Sequence, residues 1–100
     1  MGLRLDFHAI LLQMGATKVY FQPPATMVME YPCIRYERNN VDIKFADNKA
    51  YAHKKQYIVT VIDRNADSPI PDKVSEIPLS RFNRHFTEDN LHHDVYYIYF

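Results

Sequence analysis

Three histidines, one aspartate and one cysteine are the side chains here whose types and spacing could do chemistry. His85, His92 and His93 flank Glu88-Asp89-Asn90, and Asp94 follows directly. If Glu88-Asp89-Asn90 turns a hairpin, His85 and His92 lie opposite each other on one sheet face, and Asp94 shares a face with His92. Two imidazoles and a carboxylate are ligands that zinc accepts, with Cys33 as a further candidate. Their spacing matches no zinc pattern, so the simpler reading is surface histidines near a hairpin end. Cys33 beside a histidine would be a thiol nucleophile. At the start of an apolar strand, a buried inert thiol is the plainer expectation. Asp63, Asp67 and Asp72 surround a strand-to-helix turn but lack the glycine and ligand rhythm of a calcium loop, and capping accounts for them. The only glycines are Gly2 and Gly15, which excludes a glycine-rich phosphate loop. No nucleophile elbow or paired carboxylates stand out. The sequence predicts no catalytic residues, no metal and no cofactor.

The composition narrows the class. One hundred residues make one domain with a real but thin core. Twelve basic and twelve acidic residues cancel. A nucleic-acid binder usually carries a basic excess, so DNA binding is disfavoured as the main role. Neutrality also gives little protection against self-association. Aromatic residues reach 14%, as eight Tyr and six Phe with no Trp. Tyr joins an apolar body to a polar tip and suits half-buried sheet faces and subunit interfaces. A single cysteine forms no intrachain disulfide and fits a reducing cytosol. No secretory signal is expected, and no apolar run approaches the ~20 residues that span a bilayer. The expectation is a soluble intracellular chain with no membrane partner.

The elements that would position these residues follow from spacing. Leu3, Phe7, Ile10, Leu11 and Met14 make an apolar helical stripe, and Gly15 follows where helices end in a left-handed residue. Lys18 to Gln22 reads as a short strand at a sheet edge, stopped by Pro23-Pro24. Cys33 to Arg38 is a second strand, with Ile34 and Tyr36 on one face and Arg35 and Glu37 on the other. Gln56-Tyr57-Ile58-Val59-Thr60-Val61-Ile62-Asp63 is nearly uninterrupted in apolar and β-branched character, which predicts a central strand buried on both faces. Asp67 or Ser68 as N-cap and Pro69 or Pro71 in the first turn would start a second helix, with Ile70, Val74 and Ile77 on one face and Pro78 ending it. Arg81 to Thr87 and Leu91 to Phe100 close the chain as a hairpin. The expected fold is α+β: a mainly antiparallel sheet with two helices on one face, in the order α-β-β-β-α-β-β. That arrangement leaves the other sheet face to solvent or a partner.

The stretches QYIVTVIDRNADSPIPDKVSEIP, FNRHFTEDNLHHDVYYIYF, YPCIRYER and FADNKAY, taken with this order of elements, resemble the tail terminator or tail-completion (tail-to-head joining) proteins of long-tailed bacteriophages. The likeness spans nearly the whole chain. It implies a structural virion protein without catalysis, which forms a hexameric ring on the head-proximal end of the tail tube. Such a ring ends tube polymerisation and offers a surface to the head-closure or connector proteins. Its lumen lets DNA pass without sequence-specific binding. The neutral charge assigns no residue to that passage. Head-closure stopper and adaptor proteins of the same neck share the small size and remain an alternative. A small metal- or thiol-dependent enzyme using His85, His92, Asp94 or Cys33 is another, and a small regulator or toxin–antitoxin component a third.

A ring needs contacts between unlike surfaces of neighbouring subunits. Exposed strand edges and a Tyr-rich sheet face supply material for them. The excursion between the second and third strands is the leading candidate for reaching a neighbour or the tail tube. Asn40, Lys44, Phe45, Lys49, Tyr51, His53, Lys54 and Lys55 carry it, and Tyr97 and Tyr99 join them from the last strand. The alternatives there are a solvated basic loop, or one that touches phosphate or an acidic partner.

Overall fold

The structure is a computed structural model that describes residues 4–24, 28–39 and 55–100. Its elements run α1 (Arg4–Leu12), β1 (Lys18–Phe21), β2 (Cys33–Arg38), β3 (Gln56–Asp63), α2 (Ile70–Ser75), β4 (Ser80–Glu88) and β5 (Leu91–Tyr99). The order is the expected α-β-β-β-α-β-β, and the fold is a small α+β fold. One five-stranded sheet has the order β1-β2-β3-β5-β4, so β3 is central. β2, β3, β5 and β4 pair antiparallel. β1 instead runs parallel to β2, Lys18 beside Cys33 and Phe21 beside Tyr36.

The local signals act where they were expected. Gly15 ends the α1 region at φ +99°, a left-handed conformation that a Cβ would strain. Asp89 and Asn90 close the β4–β5 hairpin at φ 54° and 62°. Two successive left-handed residues match the right-handed twist of the strands they join. The hairpin loop is therefore two residues long. α2 differs in its start: Pro69 is the N-cap and no side chain caps it. Neither Asp67 nor Ser68 takes that role, although the Ser68 hydroxyl accepts the Ile70 N–H at 3.3 Å. Pro71 in the first turn needs no donor there. Upstream, the Asp63 carboxylate accepts the Asn65 N–H at 3.0 Å and the Asn65 amide oxygen accepts the Asp67 N–H at 3.0 Å, so the strand-to-helix turn is held by side chains.

Both described helices lie on one face of the sheet and close a core with it. Phe7 and Leu11 of α1, Ile70 and Val74 of α2, and Tyr36, Tyr57, Val59, Val61, Tyr96 and Ile98 of the sheet are all buried in it. Phe7 is its centre: its ring stacks on Tyr57 at 4.9 Å and meets Tyr36 edge-on at 5.5 Å. Such pairs add about 0.5–1.5 kcal/mol beyond burial of their area. Polar tips are paired as the rings sink in. The Tyr96 hydroxyl donates to the Pro71 carbonyl at 3.0 Å. The Tyr36 hydroxyl accepts from the Arg4 guanidinium at 3.2 Å and meets His8 Nδ1 at 2.7 Å. Burial raises both tyrosines, Tyr96 to about 12. Burial first, and the Arg4 charge second, hold His8 below its ordinary 6.5.

One expectation holds only in part. Tyr57, Val59 and Val61 of β3 are buried under the helices, whereas on the other face Ile62 is buried but Ile58 and Thr60 stay half-buried. The uninterrupted apolar run reflects a central strand, and the helices account for burial of just half of it.

Candidate functional site

The face of the sheet that no helix among the described residues covers is built by the alternate residues of the same strands. In register, Glu37, Ile58 and Tyr97 form one row across β2, β3 and β5. Arg35, Thr60, Val95 and Arg84 form the next, and Cys33, Ile62, His93 and Phe86 the third. The small Thr60 and Val95 sit in the middle of the floor, and an arginine stands at each end of their row. Met29 and Tyr31 lie along one side. The result is an open groove of about 450 Å³.

Its walls are charged and aromatic. Phe86 stacks on His93 with ring centroids 4.5 Å apart, and the Arg84 guanidinium lies 5.3 Å from the Phe86 ring centre. Arg64 lies over Tyr31 at 5.7 Å. The Arg35, Glu37 and Glu88 side chains make no hydrogen bond or ion pair among the described residues. The groove thus offers an apolar floor, flat aromatic walls and guanidinium and carboxylate groups free to meet a partner. Cys33, beneath this face, is not an activated thiol: burial pushes it up to about 11, against the pull of the Arg35 charge and together with Asp63.

The histidines resolve differently from the sequence reading. His85 faces Asp94 across the hairpin and His92 faces Thr87. The two imidazoles are therefore diagonal neighbours on one face, stacked 5.5 Å apart. His85 Nδ1 lies 2.8 Å from the Asp94 carboxylate and His92 Nδ1 3.4 Å from the Thr87 hydroxyl. The carboxylate orients one ring and the hydroxyl the other. Among the described residues no three His, Cys, Asp or Glu side chains are arranged to hold a metal ion. His93 points to the opposite face, into the groove.

Of the interface candidates, Tyr97 and Tyr99 both lie half-buried on the open face. Tyr97 lines the groove and its hydroxyl accepts from Asn83 at 3.4 Å, while Gln56 donates to the Tyr99 hydroxyl at 3.0 Å. Lys55 is exposed, and its backbone is tied to Phe100 in both directions, at 3.2 and 2.9 Å. Asn40, Lys44, Phe45, Lys49, Tyr51, His53 and Lys54 lie outside the described residues. The sequence reading missed Arg35, Ile58, Thr60, Arg84 and Val95 as surface-building residues. Their signal was the period-two alternation within β2 and β3, which marks two faces rather than one. Comparison with protein-family models, with curated proteins and with solved structures finds no match to this chain.

Proposed function

We propose that this chain is a structural assembly protein that acts through binding, as the ring-forming subunit at the head-proximal end of a phage tail tube. In this reading copies of the chain close a ring that ends tube polymerisation and presents a surface to the head-closure or connector proteins. DNA passes through the lumen without being read. The protein would work in the virion neck after assembling in the host cytoplasm. The observation that carries an assembly role is the open face. Ile58, Thr60 and Tyr97, half-buried around the buried Val95, form a floor that no helix among the described residues covers, between unpaired charges. A face of that kind suits a protein partner. The sequence likeness to tail-completion proteins supplies the particular assembly.

Light scattering behind a sizing column tests the reading, on the chain alone and after mixing with tail-tube protein. The expected result is a discrete oligomer or a complex with tube ends, together with a block of further tube growth. A strict monomer at high concentration that neither binds tube protein nor stops its polymerisation would sink the proposal.

A further inference from the structure

A second surface that no described residue covers lies on the other side of the sheet. α1 buries Phe7 and Leu11 but is apolar on its outer side as well. Leu5 and Leu12 are 67% and 55% exposed, and Ala9 is exposed between them. Their spacing, four and then three residues, aligns them in one stripe along the helix. Asp6 stands on the flank of that stripe and makes no hydrogen bond or ion pair among the described residues.

We infer that this convex stripe of one copy seats in the open groove of the next copy. The dimensions agree. Arg35 and Arg84 are three strand spacings apart, roughly 14 Å, and a helix with its side chains is about 10 Å across. The stripe from Leu5 to Leu12 is roughly 10 Å long, and the floor from Ile58 to Ile62 roughly 13 Å. Polarity agrees too: leucines meet the Ile58, Thr60 and Val95 floor, and the Asp6 carboxylate meets Arg35 or Arg84 at an end of the Thr60 row, away from the Glu37 and Glu88 that also line the groove. A second groove does not fill a concave groove, whereas a helix does. Because stripe and groove lie on opposite sides of the chain, the contact joins unlike surfaces, and repetition of it closes a ring or grows a filament. This inference rests on the assembly role proposed above and names which surfaces carry it.

The test uses the full chain, with and without tail-tube protein, in sedimentation velocity. The double variant Leu5→Glu, Leu12→Glu blocks the stripe, and Thr60→Lys blocks the groove. Because Thr60 lies on the central strand, Arg84→Glu on exposed β4 serves as a second groove variant that leaves the core alone. Each is expected to weaken association by more than about tenfold while melting like the wild type. A stripe variant mixed with a groove variant retains one intact contact, so the pair should form a dimer that grows no further. If the wild type assembles and every variant assembles equally well, the contact lies elsewhere and this inference falls while the assembly role stands. A mixture that yields no dimer overturns it as well. If groove variants lose only tube-protein binding, the groove belongs to that protein and not to a second copy. A wild type that stays monomeric even beside tube protein removes the assembly role and this inference together.

Discussion

The two faces of the sheet are made by the same strands, residue by residue in alternation, yet they are held to different standards. Under the helices, Tyr57, Val59 and Val61 are sealed in a core with Phe7 and Val74. On the open side, Ile58 and Thr60 of the same strand keep partial contact with water. The first face carries stability, because losing its contacts leaves a cavity or a stranded charge. The second keeps its groups available, and in the proposed reading it carries recognition. A strand that looks uniform in sequence can thus divide the two tasks between its odd and even positions.

The sharpest way to break this comparison is to put one charge on each side of β3. Val59→Asp buries an unpaired carboxylate at a cost of several kcal/mol, against a total stability of about 5–15 kcal/mol. It should yield no cooperative melt by circular dichroism. Thr60→Asp, one residue on, should melt cooperatively within about 1 kcal/mol of the wild type. Equal losses at both positions would erase the distinction between the faces. A milder contrast uses aromatic truncation. Phe7→Ala should cost about 3–5 kcal/mol in denaturant unfolding, and Phe86→Ala on the open side about 1 kcal/mol.

Proton linkage sharpens the comparison further on the covered side. His8 titrates below its ordinary 6.5 in the folded chain, so above 6.5 it is neutral both folded and unfolded. As pH falls below 6.5 the unfolded chain takes up the proton first, and stability is lost until the folded value is passed. Unfolding measured between pH 7 and pH 5 should show this loss, and His8→Gln should flatten it. The smallest effect concerns Cys33, which lies on the open side but is fully buried. Its thiol, raised to about 11, should react with a thiol reagent at pH 8 only after unfolding. Rapid labelling of native protein would mean that the open face is looser than the geometry implies.

Much of this architecture was legible because each element had a local cause. The Phe7–Leu11 spacing, the glycine after α1, the bounds of β2 and β3, and a turn before Leu91 could all be read from neighbours in the chain. What escaped was set by distant partners. Nothing in Lys18–Phe21 says that it pairs parallel to β2, since that depends on how the intervening chain returns. The His85 partner depended on a loop of two residues rather than three, which sets the register from Glu88 to Arg84; the irregularity between Phe82 and Arg84 shifts only the pairs beyond it. The groove was invisible as a site because its residues are distributed over four strands. Of the predicted surface residues, Tyr97 and Tyr99 do lie on the open face.

That irregularity in β4 has a consequence for how the protein behaves when concentrated. β4 is the long outer strand of the sheet, and an outer strand with free N–H and C=O groups can template the addition of foreign strands, the first step of fibrillar aggregation. The bulge at Asn83 bends the ladder partway along, and Arg81, Arg84 and Glu88 place charges on either side of it. A bent, charged rim is a poor template. A chain of zero net charge lacks general repulsion between copies. Among the described residues it keeps a local safeguard at the longer sheet rim, where uncontrolled growth would begin.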